Sequence, residues 1–181
     1  MRTPFGRLLA FIVATFVIAS TTFAADVASS VTTVILVRHA EKAVSGPMAG
    51  DVPLSEAGLQ RAAELARVLG DAGIRAIYAT PYERTRKTVA PLAAKLGLQP
   101  IEIAAGKDYA DQMAKRIREK NAGQTVLVVG HSNTTPDLMR KLGVNAVHDI
   151  AESEYDNLYI VTVMGTTPPE LVKLHYGAPS H

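Results

Sequence analysis

The sequence predicts an α/β protein, a three-layer αβα sandwich around a mostly parallel central sheet. Two apolar runs, residues 33–37 and the segment QTVLVVG, have the composition of central strands that are buried on both faces. Strand-like segments alternate with segments of helical periodicity, as they do in βαβ units. Near the C-terminus, NLYIVTV and ELVKLHY are separated by MGTTPPE, which indicates an antiparallel hairpin at the edge of the sheet.

The first helix is predicted within the segment LSEAGLQRAAELARVLGDAG. Ser55 is a favourable N-cap, and Leu54 is placed to pack against Leu59 as a hydrophobic staple. Helical spacing predicts a stripe of residues that faces the core: Leu59, Ala62, Ala63, Ala66 and Leu69.

A second helix is expected directly after the short strand AIYA. Thr80 is a candidate N-cap, Pro81 suits the first helical position, and Glu83 completes a capping box. Arg84 therefore falls in the first turn of this helix, close to the end of the strand.

The remaining elements follow the same alternation. QPIEI is a third short strand, and residues 108–121 form a helix with Tyr109, Met113 and Ile117 on one face. After the second central strand, Thr135 and Pro136 begin another short helix.

Residues 1–24 have the features of a cleaved secretory signal peptide. Arg2 and Arg7 precede an apolar core, and small and hydroxylated residues lead to Ala24. The apolar core is about half of the roughly 20 residues that a membrane-spanning helix needs. We therefore expect residues 25–181 to form a single domain that is secreted across the inner membrane into the periplasm, with no membrane span after cleavage.

The expected mature chain is formally neutral. Without Arg2 and Arg7, the 19 basic residues become 17 and equal the 17 acidic ones. A surface that binds nucleic acid needs a clustered excess of Lys and Arg, so we expect no such partner. The chain has no cysteine, which excludes disulfides, thiolate metal sites and cysteine nucleophiles.

Cationic and imidazole side chains follow three of the predicted strands. Arg38 and His39 come after the first strand, Arg84 after the second, and His131 after the later central strand. The carboxyl ends of parallel strands meet at one edge, so we expect these side chains to converge there. Guanidinium forks suit a tetrahedral oxyanion such as a phosphoryl group. A neutral imidazole whose other nitrogen donates to a backbone carbonyl would be a good nucleophile toward phosphorus.

The segments LVRHAEK, ATPYERTRKT and VVGHSN, in this order, resemble the motifs of the histidine phosphatase superfamily, which is also called phosphoglycerate-mutase-like. The resemblance extends over nearly all of the expected mature chain and is to a small, secreted branch without a cap. It implies the fold of that superfamily and a phosphohistidine on His39. It also implies phosphate binding by Arg38, Arg84 and His131. The sequence has no evident carboxylate cluster for Mg²⁺, so we expect no metal or other cofactor.

The general acid that protonates the leaving group is not evident. Ser132 follows His131, where the acid-phosphatase branch of the family has an Asp. Asp108, at the end of a strand-to-helix loop, is the candidate acid, but it also suits an ordinary helix N-cap. Glu41 and Ser132 are candidates for substrate contact, although Glu41 also suits a supporting partner of the pocket. The segment 154–157 has no assigned role.

The sequence thus predicts a metal-independent phosphatase acting on a phosphomonoester or phosphoramidate. Only 47 residues separate Arg84 from His131, which leaves no room for the large cap insertion of other superfamily members. An open pocket admits a small phosphorylated molecule, a phosphosugar or a phosphoprotein. Two alternatives remain open: a mutase of the phosphoglycerate type, and a non-catalytic protein that binds phosphorylated ligands.

Overall fold

The computed structural model describes residues 30–43 and 51–180, so the predicted signal peptide lies outside the described residues. The elements, in chain order, are β1 (Val31–Arg38), α1 (Glu56–Leu69), β2 (Ile74–Ala79), α2 (Glu83–Leu96), β3 (Ile101–Glu102), α3 (Tyr109–Lys120), β4 (Thr125–Gly130), α4 (Thr134–Leu142), β5 (Asn157–Met164) and β6 (Thr167–His175). None of the described helices is both long enough and apolar enough to span a membrane.

The six strands form one mixed sheet in the order β3-β2-β4-β1-β5-β6. The pairs from β3 to β1 are parallel, and β5 and β6 add an antiparallel edge. This confirms the predicted α/β class with its mostly parallel sheet and antiparallel C-terminal edge. It also brings the carboxyl ends of β1, β2 and β4 to the same side of the molecule.

Helices cover both faces of the sheet and so form two separate cores. On one face, α1 and α2 pack against alternate residues of β1 and β4, including Ile35 and Leu127. On the other face, α3 and α4 pack against the intervening residues, including Leu36 and Val128. Because both faces are buried, β1 and β4 are apolar almost throughout.

Helix α1 begins as predicted but is rotated about its axis. Ser55 is the N-cap and accepts a hydrogen bond from the Gly58 amide. Leu59 is 48% exposed and Ala63 is also exposed, so the predicted stripe and the Leu54–Leu59 staple are wrong at these positions. The buried face consists of Gly58, Arg61, Ala62, Leu65, Ala66 and Leu69. Burial of the Arg61 guanidinium, which binds a carboxylate, accounts for the rotation.

Helix α2 begins at Glu83, later than predicted, and its N-cap residue is Tyr82 rather than Thr80. The predicted capping box is therefore wrong. The Glu83 amide instead donates to the carboxylate of Asp51, at 2.7 and 2.8 Å. The Thr80 hydroxyl is engaged with two other side chains of the site described below, which leaves it unable to cap the helix.

Candidate active site

His39 lies one residue beyond the end of β1 and is almost fully buried. Its amide donates to the Gly130 carbonyl at 2.9 Å, which continues the parallel pairing of β1 with β4. Its Nδ1 lies 2.8 Å from the Ala40 carbonyl oxygen. A carbonyl only accepts, so Nδ1 bears the hydrogen and Nε2 keeps its lone pair.

Arg38 is the last residue of β1 and is buried, although it is charged. Its Nη1 donates to the carbonyls of Ala151 and Glu154, at 2.8 and 3.2 Å. Its Nη2 donates to Glu152 Oε2 at 2.6 Å, and the ring of Tyr155 lies against the guanidinium, 4.3 Å from its carbon. The Nε is buried and has no hydrogen-bond partner among the described residues.

Arg84, in the first turn of α2, approaches the site from the other side. Its guanidinium stacks on Tyr82 at 4.2 Å, and its Nη2 lies 3.4 Å from Nδ1 of His131. Like that of Arg38, its Nε is buried without a partner in the described chain. Two arginines therefore each hold one unsatisfied donor at the same edge of the sheet.

His131 is held in the opposite tautomer to His39. A guanidinium only donates, so Nδ1 of His131 accepts from Arg84 and Nε2 bears the hydrogen. Nε2 then donates to the Thr80 hydroxyl oxygen at 2.9 Å, and Thr80 is in turn paired with Thr85. The His131 ring lies 5.3 Å from that of His39, edge to face.

Glycine is required at position 130, immediately before His131. A Cβ there would lie 2.8 Å from Thr134 Oγ1 and 2.9 Å from Thr135 Oγ1, closer than van der Waals contact allows. The Thr134 hydroxyl accepts from the His131 amide at 2.9 Å, so it cannot simply move away.

Both imidazoles are neutral in this environment. Burial lowers the pKa of His39 to about 3, and the charges of Arg38 and Arg84 act in the same direction. Burial also lowers the pKa of His131 to about 4, again with help from Arg84 and Arg38. The free site thus places a neutral imidazole, with an unprotonated Nε2, among fixed positive charges, which is a suitable environment for a phosphoryl group.

These side chains surround a cavity of about 260 Å³, which we call the strand-end cavity. It is lined by Arg38, His39, Lys42, Tyr82, Arg84, Ala105, His131, Ser132, Asn133, Thr134 and Glu152. A second depression of about 300 Å³, the adjoining groove, shares three of these residues and continues along Gly106, Lys107, Tyr109, Ala110 and Asp137. The four side chains expected to converge therefore do so, and Ser132 joins them.

Two candidate residues lie elsewhere. Asp108 is exposed, lines neither the strand-end cavity nor the adjoining groove, and makes no side-chain cap bond to α3. Glu41 also lies outside the strand-end cavity, and its carboxylate is bound by Arg61 at 2.7 to 3.0 Å. Arg61 donates in addition to the carbonyls of Tyr176 and Ala178, so Glu41 supports the loop after His39.

Sequence reasoning missed several residues of the strand-end cavity. Glu152 bonds to Arg38 and accepts from the Ser132 hydroxyl, yet it lies in a segment without a motif. Tyr155 stacks on Arg38 from the same segment, and Tyr82 stacks on Arg84 from the loop before α2. Tyr155 lies in the segment 154–157, for which the sequence indicates no role, and no motif or periodicity points to Glu152 or Tyr82.

Comparison with protein families gives an assignment for the first half of the domain. Residues 34–108 match the histidine phosphatase superfamily, branch 1. This stretch includes Arg38, His39 and Arg84. His131 lies beyond the matched region. No curated protein matches the chain.

Solved structures of several proteins that are named as phosphatases share the fold. The protein histidine phosphatase SixA in complex with tungstate superposes with a TM-score of 0.64 at 16% identity, covering 79% of this chain and 96% of that one. A SixA protein from Nakamurella multipartitia gives 0.61 at 20% identity, covering 82% and 96%. A mycobacterial glucosyl-3-phosphoglycerate phosphatase gives 0.60 at 16% identity, covering 78% and 97%.

Proposed function

We propose that this chain is a member of the histidine phosphatase superfamily and that it hydrolyses a phosphomonoester or phosphoramidate through a phosphohistidine on His39. The observation that carries the proposal is the Nδ1 hydrogen bond from His39 to the Ala40 carbonyl, because it leaves Nε2 as the unprotonated nitrogen. The lowered pKa of His39 keeps that nitrogen free of a proton at neutral pH.

In the first step, the unpartnered donors of Arg38 and Arg84 hold two non-bridging oxygens of the substrate. Nε2 of His39 attacks phosphorus as the bond to the leaving group breaks. The dianionic phosphoryl group raises the pKa of His131, which takes up a proton from solvent on Nδ1, donates it as a hydrogen bond to a third oxygen and returns it to solvent when phosphate leaves.

In the second step, water attacks the phosphorus of phospho-His39 and the P–N bond breaks. The bond electrons return to Nε2, and inorganic phosphate leaves the cavity. The positive charge that stabilises both steps comes from the arginines and from His131, which is why we propose that no metal ion is needed.

The lining of the adjoining groove favours substrates that have a polar leaving group. It continues directly from the strand-end cavity and presents Lys107, Asn133 and Asp137. SixA is named as a protein histidine phosphatase, and another structural neighbour as a phosphatase of a phosphorylated glucosyl compound. We therefore propose phosphohistidine proteins and sugar phosphates as the first substrates to screen.

The test of mechanism is His39→Ala with 4-nitrophenyl phosphate in the presence of a chelator. We expect wild-type turnover to resist chelation, and the variant to lose at least about 10³-fold in kcat. His148→Ala, an exposed histidine away from the cavity, is the matched control and should behave as wild type. Acid-labile, alkali-stable labelling of wild type but not of His39→Ala would identify the intermediate.

Turnover by His39→Ala at the wild-type rate would refute this mechanism. Wild-type protein that binds tungstate or phosphate without turning over any phosphorylated compound would be a non-catalytic binding protein. Transfer of the phosphoryl group to a second position of the substrate, rather than to water, would indicate a mutase.

We also propose that residues 1–24 direct export and that residues 25–181 are the mature, single-domain protein of the periplasm. The support is the pattern of two arginines, an apolar core and small residues before Ala24. Mass spectrometry of protein recovered from a periplasmic extract should give a mature N-terminus at Ala25. An intact N-terminus in the cytoplasmic fraction would contradict export.

A further inference from the structure

The proposed reaction requires a proton for the leaving group, and neither Asp108 nor Glu41 is placed to supply it. Asp108 is exposed and lines neither the cavity nor the groove, and Glu41 is bound by Arg61. Among the described residues, Glu152 is the only carboxylate that lines the strand-end cavity. The following inference rests on the proposed function and concerns the same site.

We propose that Glu152 is the general acid and base of the reaction, giving a proton to the leaving group and later taking one from the attacking water. Its carboxylate spans the site: Oε2 accepts from Arg38 Nη2 at 2.6 Å, and Oε1 accepts from the Ser132 hydroxyl. Arg38 is also the residue whose unpartnered Nε is proposed to bind the phosphoryl group. The Arg38 guanidinium is therefore the one group between the Glu152 carboxylate and the proposed position of the phosphoryl group.

The accessibility of Glu152 also suits proton transfer. Its side chain is 73% exposed, whereas the Arg38 side chain to which it is bonded is 2% exposed. It can therefore exchange protons with water while remaining attached to the buried site. A fully enclosed carboxylate would lack this exchange, and a carboxylate outside the cavity would not reach the leaving group.

The proton balance is complete if the substrate binds as the monoanion. In the free site, the hydrogen bond from Ser132 and the charge of Arg38 lower the pKa of Glu152, so the carboxylate is ionised. The bound substrate gives its proton to Glu152 and becomes the dianion. As Nε2 of His39 bonds to phosphorus, the bond to the leaving-group oxygen breaks and that oxygen takes the proton from Glu152. Water then attacks phospho-His39, its proton passes to Glu152, and phosphate leaves as the monoanion with that proton.

A purely structural role for Glu152 makes a different prediction. If the carboxylate only anchored Arg38, its loss would lower kcat/KM by the same factor for every substrate, because every substrate binds to Arg38. A general acid matters most for leaving groups that are poor without a proton. The dependence of rate on leaving-group pKa therefore separates the two roles.

The experiment measures kcat/KM for a series of substituted phenyl phosphates, from 4-nitrophenyl phosphate to phenyl phosphate, with wild type and Glu152→Gln. The amide keeps the size of the side chain and a hydrogen bond to Arg38, but it cannot transfer a proton. We expect less than about tenfold loss for the best leaving group and about 10²-fold or more for the poorest. The slope of log kcat/KM against leaving-group pKa should thus become steeper. Glu152→Asp should recover part of the loss.

Asp149→Asn is the matched control, because Asp149 is an exposed acid of the same connecting segment that pairs with Arg140. It should keep the wild-type slope. A slope for Glu152→Gln equal to that of wild type would overturn the proposal. A faster reaction of this variant with every substrate would also overturn it, because the Glu152 carboxylate would then be competing with the substrate phosphate for Arg38. Either result would leave the phosphohistidine mechanism standing, since that is tested by His39→Ala.

Discussion

The strand-end cavity has two parts that are built in different ways: the part that holds His39, the proposed nucleophile, which we call the nucleophile end, and the part next to Glu152, which we call the mouth. At the nucleophile end, His39 follows β1 directly and is held by two main-chain carbonyls, Gly130 through its amide and Ala40 through its ring. At the mouth, Glu152 and Tyr155 stand on the long connection between α4 and β5 and reach the site through contacts with Arg38. Strand pairing orients one end, and tertiary contacts of a loop orient the other.

This difference suggests a division of labour. Groups that bind and attack phosphorus must be preorganised, and the ends of paired strands provide fixed positions. Groups that handle the leaving group must accommodate substrate entry, and a loop with an exposed carboxylate allows that. Arg38 joins the two ends, because it is the last residue of β1 and its guanidinium donates to three groups of the loop.

Among variants that test this comparison, the largest effect is expected from Arg38→Lys, which removes the group that joins the two ends. A lysine offers one ammonium and cannot both hold the loop carbonyls and bind phosphate. We expect kcat/KM to fall by about 10²–10³-fold. The carbonyls of Ala151 and Glu154 would lose their donor, so the free energy of unfolding should fall by about 1–3 kcal/mol.

Arg84→Lys is the matched control for that experiment. Its guanidinium binds no main-chain carbonyl in the described structure, so activity should fall while the unfolding free energy changes less. Urea unfolding and steady-state kinetics on both variants provide the comparison. Equal losses of stability in the two variants would contradict the joining role of Arg38.

The support beneath the nucleophile end can be tested with Arg61→Met. Arg61 is 3% exposed and holds Glu41, whose side chain is 20% exposed, together with two carbonyls of the C-terminal segment. Leaving a mostly buried carboxylate without its partner should cost about 3 kcal/mol of unfolding free energy. Arg67→Met removes an exposed ion pair from the same helix and should cost less than about 1 kcal/mol. Similar urea midpoints for the two variants would contradict this assignment.

Acid stability should report on the buried imidazoles. The pKa values of His39 and His131 are lowered in the folded protein to about 3 and about 4, so the unfolded chain binds their protons more readily. Their contribution to stability is complete above the unfolded pKa of about 6.5, and it is lost as the pH falls toward the folded values. His131→Asn should therefore lose less stability than wild type between about pH 7 and pH 4.5. Parallel curves for the two proteins would show that His131 does not have this effect, and His148→Asn serves as the exposed control.

The smallest effect is expected from Asp108→Asn. Because this carboxylate is exposed and lines neither the cavity nor the groove, kcat/KM should stay within about twofold of wild type for good and poor leaving groups alike. A selective loss with poor leaving groups would return Asp108 to the role that we propose for Glu152.

Several features of the fold were predictable from local patterns. The apolar runs of β1 and β4 indicated strands buried on both faces, and the observed sheet has them paired in parallel at its centre. The N-cap at Ser55 and the buried face of Tyr109, Met113 and Ile117 were also predicted, because capping and helical periodicity act over a few residues. The rotation of α1 was not, since it depends on the burial of Arg61 against Glu41, 20 residues earlier in the chain.

The sequence by itself determined the position of the nucleophile end: Arg38, His39, Arg84 and His131 lie at or after the ends of strands, and parallel strands bring their ends to one edge. Only the tertiary structure decided the mouth. Glu152 lies 114 residues from Arg38 in the chain, on a connection with no periodicity, and its place depends on side-chain and carbonyl contacts with the buried guanidinium. The physical reason is the distance along the chain over which each interaction acts. Strand periodicity and capping are local properties, whereas a loop is positioned by the residues on which it packs.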